Sequence, residues 1–192
     1  MTGDITVISG PTAVGKGTVV SALRRRCPDL WISVSATTRK PRPMERDGRD
    51  YLFVSDAQFD ELIAHDGLLE WATVHGKHRY GTPRAPVDAA VAAGRHVILE
   101  IDLQGARQVK QQRPDVRSIF LQPPSWDVLV SRLVGRGTES DEVRTRRLST
   151  ARIELAAAEE FDHTVVNEDL GKTVDELVGL LGLASTHSEG SS

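Results

Sequence analysis

Lys16 directly follows Gly15 in the run Gly10-Pro11-Thr12-Ala13-Val14-Gly15-Lys16-Gly17-Thr18. Glycines at both ends let a backbone curl until successive N–H groups point at an anion, and a lysine at this spacing reaches toward the β- and γ-phosphates of a nucleotide. The run is a phosphate-gripping loop of the Walker A type. Thr18 is the candidate magnesium ligand, set one residue late because Gly17 occupies the position where that pattern carries a hydroxyl. The plainer alternative is a glycine-rich turn at a helix start. The elements that must hold such a loop are present: the apolar run Ile5-Thr6-Val7-Ile8 predicts a strand before it, and Val19, Val20 and Leu23 predict a helix face after it, stopped at Cys27-Pro28.

A second group of residues suits anions. Arg39, Lys40, Arg42, Arg46 and Arg49 fall within eleven positions of a chain whose formal net charge is −3. Guanidinium forks meet phosphate oxygens bidentately, and the hydroxyl of Tyr51 adds a neutral donor. Pro41 and Pro43 stiffen the segment and so help to aim it. A solvated basic loop, or one that grips nucleic-acid backbone, is the competing reading. Further along, Val97-Ile98-Leu99-Glu100-Ile101 ends in Asp102, the apolar-then-acidic form of a Walker B strand, whose carboxylate can hold Mg²⁺ or its waters. Asp102 can equally cap the helix predicted from Leu103, and one residue can do both. Arg132, Arg136 and Arg147 flank or enter the glycine-bounded Gly135-Arg136-Gly137-Thr138, a segment able to swing; as an alternative they are solvent-facing and paired with Glu139, Asp141 or Glu142. His75-x-x-His78 lacks a third ligand at suitable spacing and reads as a polar turn rather than a zinc site.

The order of predicted elements is that of an α/β protein. After the first strand and helix, the apolar run Leu30–Val34 gives way to a polar, proline-rich stretch to Asp50 and a strand-like Tyr51-Leu52-Phe53-Val54. Asp56 is the expected cap of a helix through Phe59, Leu62 and Ile63; Leu68–Val74 reads as a strand, and a turn follows, ending at Tyr80-Gly81-Thr82. From Pro83 helices alternate with strands at 97–101, 118–121 and 163–166, which predicts βαβ units and a parallel sheet. The 192 residues carry 39% hydrophobic and 27% charged side chains and one cysteine, Cys27, so no internal disulfide framework is possible. With no apolar stretch of bilayer length and no signal-like N-terminus, a cytoplasmic protein is expected. The acidic balance argues against nucleic acid as a main partner.

The segment Ser35-x-Thr37-Thr38-Arg39-x-Pro41-Arg42-x-x-Glu45-x-x-Gly48-x-x-Tyr51-x-Phe53 resembles the nucleoside-monophosphate region of guanylate kinases. The likeness runs from about Ile5 to about Leu181, through Leu69-Glu70-Trp71-Ala72, Tyr80-Gly81-Thr82, Glu100-Ile101-Asp102-Leu103-Gln104-Gly105, the Gly135–Thr138 run and Val166-Asn167-Glu168-Asp169. It implies a P-loop nucleoside-monophosphate-kinase fold: a parallel sheet core flanked by helices (1–34, 83–132 and 162–184), a small α+β GMP-binding insertion (35–82) and a helical lid (133–161). These make one domain over 1–184, with 185–192 an unstructured tail. By the same resemblance Arg39, Arg42, Tyr51 and Tyr80 hold the GMP phosphate, Ser35, Glu70 and Thr82 face the guanine, and Glu100 and Asp102 line that pocket. Gly10 to Thr18 and Asn167 bind ATP, Asn167 touching the adenine. Lys16, Arg39, Arg132, Arg136 and Arg147 act on the transferring phosphoryl group. Two departures stand out: Ala13 occupies a place where many relatives have glycine, and the turn before Tyr80 is one residue longer than usual.

The chemistry supports that assignment independently. Guanine offers N1–H and its N2 amine side by side as donors, and one carboxylate such as Glu70 accepts from both, whereas adenine presents an acceptor at N1. Sites built around such bonds reject analogues lacking the donor by roughly 10⁴ or more. Phosphoryl transfer from MgATP to GMP or dGMP is the expected reaction. A kinase for a ribosyl bisphosphate, or a non-catalytic module binding phosphopeptides in the same cleft, are the alternatives. Glu70 and Thr82 argue against the first, and retention of Lys16 against the second.

Overall fold

In the computed structural model, residues 3–74, 77–134 and 141–183 are described. The elements in chain order are β1 (Ile5–Ser9), α1 (Lys16–Arg26), β2 (Trp31–Ile32), β3 (Ala36–Thr37), β4 (Leu52–Phe53), α2 (Asp56–Ala64), β5 (Leu68–Val74) and β6 (His78–Pro83). Then follow α3 (Arg84–Ala92), β7 (Val97–Glu100), α4 (Leu103–Gln112), β8 (Arg117–Gln122), α5 (Trp126–Val134), α6 (Asp141–Ala156), a 3₁₀ turn (Ala157–Glu160), β9 (His163–Val166) and α7 (Leu170–Leu181). Strands alternate with helices through most of the chain, as its periodicity predicts.

The larger sheet has the strand order β2-β7-β1-β8-β9. Two of its pairings are parallel in register: Trp31 and Ile32 lie opposite Val97 and Ile98, and Ile119 to Gln122 lie opposite His163 to Val166. Every residue of β1 is buried, which is why its apolar residues, Ile5, Val7 and Ile8, fall on both faces of the strand rather than on one. The smaller sheet, β4-β3-β6-β5, forms within the segment expected to be an insertion.

Two compact units divide the chain. One comprises residues up to Val7 with Trp31–Arg117; the other comprises Ile8–Leu30 with the chain from Ser118 onward. In the first, Phe59 of α2 packs with Ala36 and Leu68, and β5 and β6 pair antiparallel with Glu70 opposite Thr82 and Ala72 opposite Tyr80. In the second, α1 buries Val19, Val20 and Leu23 and packs against α7, which buries Val174, Leu177, Val178 and Leu181. A further cluster, Leu129, Leu133 and Ala151, joins α5 to α6.

Three local expectations are corrected. The cap of α2 is Ser55, whose hydroxyl accepts from the Gln58 amide while the Gln58 side chain accepts from the Ser55 amide, a reciprocal capping box that leaves Asp56 in the first turn. The turn expected to end at Thr82 is strand from His78 onward, because pairing with β5 outweighs the weak strand preferences of Gly81 and Pro83. The polar stretch after Val34 contains β3, whose Ala36 and Thr37 are fully buried between β4 and β6. Among the described residues, no helix is long and apolar enough to cross a membrane. The expected tail, 185–192, lies outside the described residues.

Candidate active site

The phosphate loop occupies the gap between Ser9, where β1 ends, and Lys16, where α1 begins. Gly15 caps the helix with φ 99°, and a Cβ there would stand 2.9 Å from Asn167 Nδ2, so both the turn and its neighbour require glycine. Ala13 also takes a left-handed conformation, φ 68°, which costs a residue with a side chain roughly 1–2 kcal/mol. Its methyl packs against the Leu129–Leu133–Ala151 cluster, and burial of one such group offsets about 0.8 kcal/mol of that strain.

Three side chains from later in the chain fasten this loop. The Val14 carbonyl accepts from Asn167 Nδ2 at 2.8 Å and from Arg132 Nη1 at 3.2 Å. The Thr12 amide donates to Glu154 Oε2 at 3.0 Å. Asn167 is itself buried and fixed, accepting from the Thr173 hydroxyl through Oδ1 at 3.3 Å. Lys16 folds over the loop, its ammonium donating to Gly10 O at 2.6 Å and Pro11 O at 3.4 Å. Gly17 and Thr18 are exposed in the first turn of α1, and Arg147 is half-buried on α6. Arg136 lies outside the described residues.

The basic segment has its own organised centre in the other unit. Arg39 is gripped bidentately by Glu45, with both N–O distances 2.9 Å, and donates from Nε to the Tyr80 hydroxyl at 3.0 Å. Its guanidinium lies 5.3 Å from the centroid of the Tyr51 ring, and the Tyr51 and Tyr80 rings meet edge to face at 5.8 Å. Thus Arg39, Tyr51 and Tyr80 converge. Arg42 is exposed at the same turn; its amide donates to Glu45 at 2.7 Å. The Arg39 fork, with the Arg42 amide second, holds the Glu45 carboxyl below the usual range, and Glu45 keeps Arg39 charged. Burial pushes the Tyr51 hydroxyl up, with Tyr80 and the nearby charges of Glu100 and Glu45 adding to the effect and Arg39 opposing it. Glu100 is half-buried at the end of β7.

The residues expected at the base form a tighter pair. Glu70 and Thr82 face each other across β5 and β6, both buried, and Thr82 Oγ1 donates to Glu70 Oε1 at 2.6 Å. Burial raises the Glu70 carboxyl to about 7, the charge of Asp102 adds to that, and the Thr82 hydrogen bonds oppose it. An ionised carboxylate is a strong acceptor for paired N–H donors. Asp102 caps α4, its Oδ1 accepting from the Gly105 amide at 2.8 Å, so the cap anticipated as an alternative is formed. Ser35 is half-buried just before β3, its carbonyl accepting from the Leu52 amide at 2.9 Å.

Glu154, Glu45, Gln108 and Gln112 were not expected at the site; the two glutamines bond the backbone beside Glu70. A carboxylate inside an arginine cluster was a readable sign for Glu45. Nothing local marks Glu154, whose partner is 142 positions away.

Among the described residues no three His, Cys, Asp or Glu side chains gather as a metal cage. Thr18 and Asp102 each offer a hard oxygen of the kind magnesium takes, Asp102 with one oxygen already bonded to the Gly105 amide.

A family model described as guanylate kinase matches residues 2–182. A guanylate kinase from Cutibacterium acnes is 60% identical over 184 residues, covering 95% of this chain and 92% of that protein. One from Thermobifida fusca is 60% identical over 182 residues, again 95% and 92%. Among solved structures, guanylate kinase from Anaplasma phagocytophilum superposes with a TM-score of 0.76 at 35% identity, covering 94% of this chain and 85% of that one. Shikimate kinase from Bacteroides thetaiotaomicron, 15% identical with a TM-score of 0.51 over 94% and 99% of the two chains, shares the fold alone.

Proposed function

The chain belongs to the guanylate kinase family, whose reaction moves the γ-phosphoryl group of ATP to GMP, and from that premise we propose how its residues divide the work. The observation that carries the division is the buried Glu70–Thr82 pair. Glu70 accepts from guanine N1–H and the N2 amine, and Ser35 and Thr82 add hydroxyls to the same base. Nothing in this set reads the sugar, so dGMP serves as well as GMP. Arg39, Arg42, Tyr51 and Tyr80 take the monophosphate, supported by the convergence of Arg39 with both tyrosines. Glu100 and Asp102 line the acceptor pocket.

Gly10 to Thr18 and Lys16 hold the ATP phosphates, with Asn167 beside the adenine. The donor is MgATP, with Thr18 and Asp102 as oxygen ligands or holders of the metal's waters. Arg132, Arg136 and Arg147 neutralise charge that spreads over the equatorial oxygens during transfer, a contribution on the order of 10³-fold or more in rate. No general base is required, because the phosphate of GMP, with a second pKa near 6, is largely dianionic at neutral pH. Catalysis is therefore positioning and charge neutralisation. The net charge of −3 and the absence of an apolar spanning helix among the described residues favour a cytoplasmic enzyme without nucleic-acid or membrane partners.

The test is ADP production from MgATP with GMP, dGMP, AMP, CMP or UMP as acceptor. Stimulation by GMP and dGMP alone is expected. A folded protein that GMP fails to stimulate overturns the assignment.

A further inference from the structure

Gly105 is the third residue of α4, a place where glycine costs a helix about 0.5–1 kcal/mol relative to alanine. Its backbone is helical, so no turn requires the missing side chain. What does require it is Glu70. A Cβ at position 105 would stand 2.5 Å from Glu70 Oε2, 3.0 Å from its Cδ and 3.3 Å from its Cγ, and these are its three nearest neighbours. The carboxylate thus rests in the volume that an alanine methyl would fill. Its other oxygen is already engaged by the Thr82 hydroxyl.

The rest of α4 holds this arrangement in register. Gln108 Oε1 accepts from the Trp71 amide at 3.1 Å, and its Nε2 donates to the Trp71 carbonyl at 2.8 Å. One turn on, Gln112 Nε2 donates to the Leu69 carbonyl at 2.9 Å. The helix is therefore bonded to the β5 backbone on both sides of Glu70. Its first turn is further fixed by Asp102, which caps the Gly105 amide itself. When a methyl is added at 105, neither helix nor strand is free to give, and the end of the Glu70 side chain is what moves.

We propose that Gly105 is a specificity-determining positioning residue: its absent side chain forms the seat of the Glu70 carboxylate and so sets the angle at which that carboxylate meets the paired donors of the base. This rests on the reading of Glu70 as the guanine acceptor. Because only a flexible side-chain end is displaced, a substitution here separates recognition from folding. Alanine stabilises the helix while it swings the acceptor out of line.

The experiment is Gly105→Ala, assayed for KM toward GMP and toward MgATP and for thermal unfolding. The expected result is a KM for GMP raised roughly tenfold or more. The KM for MgATP and the melting temperature stay level, or the latter rises. A double-mutant cycle with Glu70→Asp adds a readout that a merely structural role would not move. The shorter carboxylate clears the new methyl, so its penalty in GMP KM is smaller in the Gly105→Ala background than in the native one. An unchanged GMP KM in a folded Gly105→Ala protein overturns the proposal, as does additivity in the cycle. A melting temperature lowered together with equal losses toward both substrates also overturns it. A native protein without GMP-stimulated turnover overturns the underlying reading of Glu70 instead, so the two failures are distinguishable.

Discussion

Thr82 Oγ1 lies 2.6 Å from Glu70 Oε1, and the hydroxyl is the donor. That bond favours the ionised carboxylate, while burial and the charge of Asp102 favour the protonated one and raise it to about 7. A protonated Glu70 turns a donor toward guanine's own donors, so binding demands ionisation. The KM for GMP is expected to fall as pH rises from about 6 to about 8. Thr82→Val, which removes the opposing hydrogen bond, should shift the midpoint to higher pH. The GMP phosphate also titrates near 6 but does so equally in both proteins. KM–pH profiles of the two, overlaid, isolate the carboxylate; coincident midpoints would refute the coupling.

The same group makes stability depend on pH. Its folded value, about 7, lies above the ordinary 4.5, so the unfolded chain ionises first. Stability is unpenalised below pH 4.5 and declines as pH rises through about 7. Glu70→Gln keeps the shape and an acceptor for Thr82 but never ionises. Relative to the native chain it should be more stable by on the order of 2 kcal/mol at about pH 8 and nearly equal at about pH 4.5. Urea denaturation at the two pH values measures the difference.

The features legible in the sequence are those whose physics is local. Glycine spacing, a lysine and flanking apolar runs specify the phosphate loop without reference to anything distant. Strand Leu68–Val74 and strand His163–Val166 have the predicted bounds because their apolar content carries its own signal. Strand β6 was hidden because its stability comes from pairing with β5, not from Gly81 or Pro83 themselves. Ser55 and Asp56 are both good caps, and only the reciprocal bond to Gln58 decides between them. The clamps on the phosphate loop and the seat of Glu70 join residues far apart in the chain, where no window of sequence pattern reaches.

Lys16 is the one charged side chain within the phosphate loop, and its ammonium already arches over Gly10 and Pro11. Lys16→Ala removes a point charge from the donor phosphates without emptying any part of the core, since the side chain is only half-buried. Turnover should drop on the order of 10³-fold while the melting temperature holds. Steady-state ADP release and thermal unfolding of the same preparation decide it, and retained turnover would remove Lys16 from the mechanism.

Glu154 reaches from α6 to the Thr12 amide and so ties a helix bearing Arg147 to the loop assigned to ATP. Losing one charge-assisted bond to a backbone amide costs about 1–2 kcal/mol. The β5–β6 pair that carries Glu70 belongs to the other unit, so the acceptor base should not sense the loss. Glu154→Ala is therefore expected to raise the KM for MgATP roughly fivefold to tenfold with the KM for GMP unchanged. Glu154→Gln, which retains an acceptor oxygen at the same reach, should recover most of that loss. Parallel titrations of both substrates on the two variants provide the check. Equal KM changes for ATP and GMP, or a glutamine variant as impaired as the alanine one, would show that Glu154 does something other than hold the Thr12 amide.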